Sequence, residues 1–543
     1  MQGALTGIDY TVLLLYLAAT LALGLAIGRR VRTQHDYFLA GRRLPWWAIG
    51  MSLVATDIGG TDIIGVGGAA YSYGMAVGNF EWIGCVPAMI VAAFVFIPFF
   101  WRTGIYTIPE YLERRYNVSV RSALAACWLI FMACNLGVML LASAKMMAVL
   151  FGWDPAVCIW ITAAFVGIYT VAGGLAAVVY TDAIQCAVMV LGCLLVVVIG
   201  LEDVGGWSGL RGKIHAHEQQ QAVATTGAAS EEPAESTVAA RLADPLHPDR
   251  VYHTKLILLP MDSPTPFPWT GIFFGLALVL SPAYWIGNQA IVQRSLGAKS
   301  EYAAKAAYVW GAVLKNTIPF IIAIPGLIAF AKYPNLPDGD QAFPRLVADI
   351  LPIGCRGVFL AAFLAALMSS VDSYLNAASA IVTSDFYKRF VQPDATDQHL
   401  LRVGRWVTVA LVLWAIAFAF YLTGRSEGIY TIFQTMMSFF QGPALAILLA
   451  GLLWRRATGK AALIGFLVGL ACSISLFTLS QPAVTEALGW RPLFQIEEPF
   501  LYFSVWAFLA TALTVAAVSL AMRPDPQAKL DYLVFASQRG ASK

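Results

Sequence analysis

Residues 51–74 read MSLVATDIGGTDIIGVGGAAYSYG. The stretch is apolar and close to membrane-spanning length, yet Gly59 and Gly60 sit in its middle with an acid on either side, Asp57 and Asp62. Such a helix is expected to break at the glycines. A break at membrane depth is tolerated only where the freed backbone is buried in protein or lines a cavity. A second stretch, GLALVLSPAYWIGNQAIVQR at 275–294, carries Pro282, which lacks a backbone donor and disfavours helix at Ser281. The break there is expected at that pair. Interrupted helices in matching positions of two halves point to the binding site of an inverted-repeat transporter. Kinked packing helices are the alternative on spacing alone.

The rest of the chain fits that setting. Of 543 residues, 59% are hydrophobic and only 12% are charged, against roughly half and a quarter in soluble domains. About thirteen apolar segments approach spanning length: 8–28, 46–70, 80–101, 122–151, 157–178, 182–202, 268–290, 306–332, 356–384, 403–423, 428–454, 460–479 and 499–521. With the N-terminus outside, Arg29, Arg30, Arg32, Arg42, Arg43, Arg102, Arg114, Arg115, Arg121, Arg294, Lys299, Lys305, Lys388, Arg389, Arg402, Arg455, Arg456 and Lys460 all fall in inside loops, as the positive-inside rule requires. The C-terminus is then cytoplasmic, and the protein is a multi-pass protein of the cell (plasma or inner) membrane. No removable signal peptide is read at the N-terminus. The long connection 203–266 is rich in Ala, Glu, Gln and Thr, so part of it is expected to be disordered. Its histidines (His215, His217, His247, His253) read as linker residues, with metal binding the alternative. Eight cysteines without C-x-x-C spacing signal neither a disulfide framework nor zinc. The net charge of +3 gives no reason to expect nucleic acid, and nothing marks an obligatory protein partner. Nucleotide loops and nucleophile motifs are missing from the sequence, so an enzyme is not expected.

Polar residues inside apolar spans are the candidate functional groups. In LMSSVDSYLNAAS, 367–379, helical spacing puts Ser369, Asp372, Ser373 and Asn376 on one face, with Ser370 beside it and Val371, Leu375 and Ala378 opposite. That stripe must face protein or water. Ser369 and Ser370 can instead bond back to their own helix. Lys315 lies inside the eighth span and Glu81 at the start of the third. Each alone could snorkel or pair structurally. A Lys, a Glu and several Asp in one bundle more often mark a solute or ion path.

Ordered stretches then point to a family. HDYFLAGRRLPWW, GIYTIPEYLERRYN, YTDAIQ, AYWIGNQAIVQRSLGAKS and DQAFP followed by LMSSVDSYLNAASAIVTSDFYKR resemble the sodium:solute symporter family, in its sodium/glucose (galactose) cotransporter branch. The resemblance runs from about residue 8 to 460, except for the long loop. It implies an all-α polytopic fold whose core is a LeuT-type five-plus-five inverted repeat with two broken helices. The expected division is an extra N-terminal helix 8–28, a first repeat 46–202, an outside loop 203–266, a second repeat 268–454, two further helices in 460–521 and a cytoplasmic tail 522–543.

The same resemblance implies the sites. One Na⁺ takes backbone oxygens of Ala55, Ile58 and Ala366 and hydroxyls of Ser369 and Ser370. A second cation position is expected beside Asp182, with Ser369, Asp372 and Ser373 around it; a helix cap is the alternative for Asp182. Glu81, Lys315 and Gln434 match groups that hold sugar hydroxyls, Tyr284 matches an aromatic gate, and Trp285 adjoins it. Gln434 has helix–helix hydrogen bonding as its plain alternative. Asp57, Asp62 and Ser281 depart from the sugar carriers, which place Asn, His or Gln, and Asn there. The expected function is Na⁺-driven uptake of a glucose- or galactose-like hexose by alternating access. The alternative is a Na⁺ or H⁺ symporter of the same fold for a polyol, sialic acid, amino sugar or amino acid.

Overall fold

The computed structural model describes residues 6–28, 39–173, 175–227, 243–244, 247–251, 254–259, 265–423, 429–489, 494, 499–526, 530 and 532–535. Arg29, Arg30, Arg32 and His253, most of the 228–266 connection and the end of the tail lie outside these residues. Apart from a short antiparallel pair, Ala243–Asp244 with His247–Val251, the regular structure described is helical.

In chain order the principal helices are α1 (Gly7–Gly28), α2 (Trp46–Asp57), α3 (Gly60–Tyr73), α4 (Met75–Thr103), α5 (Ile108–Arg115), α6 (Val118–Phe151), α7 (Pro155–Gly173), α8 (Leu175–Val204) and α9 (Gly206–Gly227). They continue as α10 (Gly271–Gly287), α11 (Gln289–Leu296), α12 (Glu301–Lys332), α13 (Ala342–Ile350), α14 (Cys355–Val391), α15 (Asp397–Leu422), α16 (Ile429–Leu453), α17 (Gly459–Ser480), α18 (Pro482–Leu488) and α19 (Phe500–Ala521). Among the described residues ten helices are long and apolar enough to cross a membrane, and two bent pairs, α2 with α3 and α10 with α11, bring the total to twelve. The described apolar part of α7, Pro155–Gly167, is shorter. Each of the thirteen expected segments therefore overlaps a helix or a bent pair.

Local chemistry explains several boundaries. Thr107, Asn117, Ser300 and Thr458 each accept a backbone N–H of the helix they precede, satisfying a donor that has no intrahelical partner. The α6 helix ends where Gly152 turns left-handed at φ 67°. The long connection begins in order: α9 occupies 206–227 with Leu210 and Ile214 buried. Its two histidines make ordinary contacts, His217 Nε2 with the Ala331 carbonyl at 3.1 Å and His215 with Gln219 at 3.0 Å.

The bend between α2 and α3 is 56° and falls at Ile58–Gly59, as the glycine pair suggested. A Cβ on Gly59 would come within 2.6 Å of Ser370 Oγ, so glycine is what lets this backbone touch α14. The bend between α10 and α11 is 51°. It corrects the expectation placed on Ser281–Pro282: the chain bends at Asn288, six residues beyond the proline. Pro282 falls where a π-type stretch, Gly271–Leu280, passes into regular α-helix, so its missing donor coincides with a change of ladder and not with a bend. Asn288 is extended, and its Oδ1 accepts the Ala290 N–H at 2.9 Å, which starts α11 afresh.

The helices that matter for the site pack around these bends. The α14 helix lies against α8, α2, α3 and α11, while α12 runs beside α2 and α3. The last helices, α17 and α19, pack on each other, and α19 also covers α16 and the start of α10.

Candidate functional site

The polar stripe of α14 faces the first bend. Ser369 Oγ donates to the Ala55 carbonyl at 2.7 Å and, in its own helix, to that of Ala366 at 2.9 Å. Ser370 Oγ donates to the Thr56 carbonyl at 3.0 Å and lies 3.5 Å from that of Ala55. Both hydroxyls are fully buried. Back-bonding therefore describes half of what Ser369 does and nothing of what Ser370 does. Four of the five expected oxygen donors (Ala55, Ala366, Ser369, Ser370) meet directly, and Ile58 sits at the turn whose next residue, Gly59, touches Ser370. A small hard cation wants several such oxygens, and a helix end frees its carbonyls to supply them.

One turn further along, the same face meets a charge. Asp182 lies inside α8, seven residues past its start, so it caps nothing. Its Oδ2 accepts from Ser52 at 2.6 Å and Thr56 at 3.4 Å on α2, and pairs with the guanidinium of Arg294 on α11 at 3.2 Å. Arg294 also donates from Nε to Ser52 Oγ at 2.7 Å and reaches Ser373 Oγ on α14. Ser373 lies 3.1 Å from Thr56 Oγ1 and donates to Asp372 Oδ1 at 3.2 Å. Asp182 and Ser373 are joined through Thr56 and Arg294, and Ser373 Oγ also reaches the Ser369 carbonyl and Asp372, so the four residues share one polar cluster. Arg294, placed in an inside loop by the sequence, is 1% exposed within the bundle.

The solute groups gather on the other side of α3. One cavity is lined by Asp57, Asp62, Glu81, Ser281, Tyr284, Trp285 and Gln434, seven of the eight expected residues. Lys315 stands behind the wall, fully buried just before the helical run of α12 is interrupted at Asn316–Thr317. Its ammonium pairs with Asp57 and with Glu81, the latter at 2.5 Å, and lies 5.9 Å from the Trp285 ring centre. Asp57, Glu81 and Cys85 bring ligand atoms within 4.8 Å of one another, and Lys315 offsets one of the two carboxylate charges. Asp62 accepts the Gly59 N–H at 2.9 Å, holding the turn while its side chain lines the cavity. Tyr284 and Tyr374 bring their hydroxyls to 3.3 Å, linking α10 to α14. The cavity leaves about 50 Å³ for the centres of water-sized molecules. That is room for a few waters, so a ring-sized solute requires a more open arrangement.

Sequence reasoning missed four participants. Ser52 and Thr56 lie on an apolar helix without a pattern to mark them, and Arg294 sits among basic loop residues. Gln441, two turns beyond Gln434 on α16, lines the same cavity. The spacing of seven along one helix was the available signal for it.

A family profile described as the sodium:solute symporter family matches residues 37–469. The chain is 32% identical to sodium/glucose cotransporter 4 of Danio rerio, over 97% of its own length and 80% of the relative's. It is likewise 32% identical to sodium/myo-inositol cotransporter 2 of Oryctolagus cuniculus, over 99% and 80%. A solved substrate-bound, outward-open Na⁺-coupled sialic acid symporter superposes with a TM-score of 0.76 at 23% identity, covering 96% of this chain and 99% of that one. This last likeness concerns the fold.

Proposed function

This chain belongs to the sodium:solute symporter family, and we propose that it carries a hydroxyl-rich solute, a hexose or a cyclic polyol, inward with Na⁺. The observation that carries the reading is the pairing of two sites across α3. Neutral oxygens converge at the Ala55–Gly59 turn, and a cavity of carboxylates, amides and aromatic faces opens beside it. Amide and carboxylate groups match sugar hydroxyls, and an aromatic ring matches the apolar face of a sugar. The relatives named for glucose and for myo-inositol support both solutes equally by identity.

In this reading Na⁺ takes the oxygens of Ala55, Ile58, Ala366, Ser369 and Ser370. The two serine hydroxyls, which now donate to carbonyls, turn their lone pairs to the ion. One ion thereby ties α2 to α14 and fixes the turn whose other side carries Asp57 and Asp62. Such coupling is reciprocal, so solute tightens Na⁺ as Na⁺ tightens solute. One charge crossing ~100 mV contributes about 2.3 kcal/mol. A roughly tenfold Na⁺ gradient adds about 1.4 kcal/mol. Together they support accumulation of roughly a few hundredfold per coupled ion. Release follows movement of Tyr284 away from Tyr374. The N-terminus is assigned outside and the C-terminus to the cytoplasm, with repeats over 46–202 and 268–454.

Uptake of labelled glucose and myo-inositol into proteoliposomes tests this. Concentrative uptake that requires an inward Na⁺ gradient and grows with an inside-negative potential is expected. Uptake indifferent to Na⁺ that follows a pH gradient would favour proton coupling through Asp57, Asp182 or Asp372.

A further inference from the structure

Three carboxylates line the solute cavity or its wall, Asp57, Asp62 and Glu81, and a single ammonium, Lys315, faces them. That ammonium is taken by Asp57 and Glu81 together. Asp62 is left with the Gly59 N–H as its recorded hydrogen bond, and among the described residues no basic side chain forms an ion pair with it. A carboxylate in a poorly solvated site is held in its charged form by a positive partner. Gln441, 1% exposed, supplies an independent sign of a ligand: it lines the same cavity, and its Nε2 has no hydrogen-bond partner among the described residues.

We propose, resting on the solute reading above, that the cargo carries a protonated amine seated against Asp62: an amino sugar or amino polyol. An ammonium supplies the charge that Asp62 lacks, and hydroxyl oxygens elsewhere on the same molecule accept from Gln441 and Gln434. Phe80, Tyr284 and Tyr430 line the cavity too, and aromatic faces attract an ammonium. One Asp62 carboxylate oxygen already holds the turn, and Phe80, Tyr284, Trp285, Tyr430 and Phe433 supply much of the lining, which suits an ammonium on an organic solute. A neutral hexose leaves the charge unanswered.

Equilibrium binding to the purified full chain in detergent, in NaCl, separates these cases. The probes are glucose, myo-inositol and protonated amino sugars bearing the amine on carbon 2, 3 or 6, each with its N-acetyl form. At least one amino sugar is expected to bind tenfold or more tightly than glucose, and acetylation should abolish that advantage. In Asp62→Asn, whose side-chain oxygen still accepts the Gly59 N–H, the preference should shrink to within about twofold. Equal affinities for amine and hydroxyl forms in the wild type overturn the proposal, and so does a preference that Asp62→Asn leaves intact. The wild-type comparison decides even where the variant fails to fold. Amino-sugar binding without Na⁺-driven uptake in proteoliposomes upholds the amine and overturns the coupled reading. Na⁺-driven glucose uptake without an amine preference does the reverse.

Discussion

The two bends differ by only five degrees, 56° against 51°, yet they are built from opposite materials. At the first, glycine brings bare backbone against Ser370, and the carbonyls of Ala55 and Thr56 meet neutral hydroxyls. At the second, Asn288 caps its own half-helix, and six residues later Arg294 delivers a permanent cation to Asp182, Ser52 and Ser373. A covalently attached charge fixes geometry but cannot leave. A ring of neutral oxygens holds nothing permanently, which is what a site for a travelling ion requires. The contrast makes the Arg294 cluster the anchor, and the proposed ion exchange belongs to the Ser369–Ser370 contact.

The anchor should show the largest effect. Arg294→Gln leaves Asp182 buried and uncompensated, and breaking a buried pair in this way costs about 3–5 kcal/mol. Thermal unfolding in detergent should fall accordingly, and adding Asp182→Asn should recover most of the loss. Unchanged stability in Arg294→Gln would mean that the guanidinium anchors nothing. The exchange site should behave differently. Ser370→Ala removes one oxygen from a charged ligand, about 2 kcal/mol, so the half-saturating Na⁺ concentration should rise roughly thirtyfold. Its unfolding temperature should barely move. If instead Ser370→Ala unfolds the protein and leaves Na⁺ dependence alone, the two roles are exchanged.

A smaller effect separates ion from solute. Gln434→Ala and Gln441→Ala each delete amide hydrogen bonds worth about 1 kcal/mol, roughly fivefold in half-saturating solute at fixed Na⁺. A change confined to protein yield would make Gln434 a packing residue between helices.

The contact between the Ser369–Ser370 pair and the first bend was legible in the sequence and the anchor was not, for a physical reason. A serine pair inside an apolar run is costly unless something receives it, and Gly59–Gly60 advertises a break, so each half of that contact carries its own signal. Asp182 and Arg294 hide each other. An arginine near the end of a span reads as an interfacial snorkel, and only packing shows that α11 carries it inward to α8. The second bend was misplaced for a related reason. Proline marks a missing donor, but a π-type stretch can absorb that donor, whereas the Asn288 cap becomes visible only once its Oδ1 is seen on Ala290. Membrane-scale features such as span positions survived because bilayer thickness fixes them independently of local detail.

The smallest effect concerns how the first bent pair is fastened at its far end. Lys255, outside the spans, donates from Nζ to the carbonyls of Tyr71 at 2.8 Å and Ser72 at 2.6 Å, closing the last turn of α3, and lies 4.4 Å over the Phe330 ring. Its backbone N–H donates to Glu218 on α9 at 2.9 Å. Burial pushes its ammonium down to about 8 from 10.5, and Glu218 opposes that only in part. Between those values the unfolded chain still holds a proton that the folded chain has released, so this residue makes stability rise with pH. Below about pH 8 both states are charged and the whole cost of burying the ammonium remains. A neutral amine retains two N–H donors, enough for both carbonyls, so the clamp survives the loss of charge. Unfolding measured at pH 8 and at pH 9 should show a gain of less than about 1 kcal/mol attributable to Lys255. Lys255→Met should lack that gain while Na⁺ affinity stays unchanged. An identical pH response in the two proteins would show that burial does not perturb the Lys255 ammonium, leaving the hydrogen bonds that Tyr71 donates to the Tyr333 carbonyl and accepts from the Leu336 N–H to hold the far end of α3.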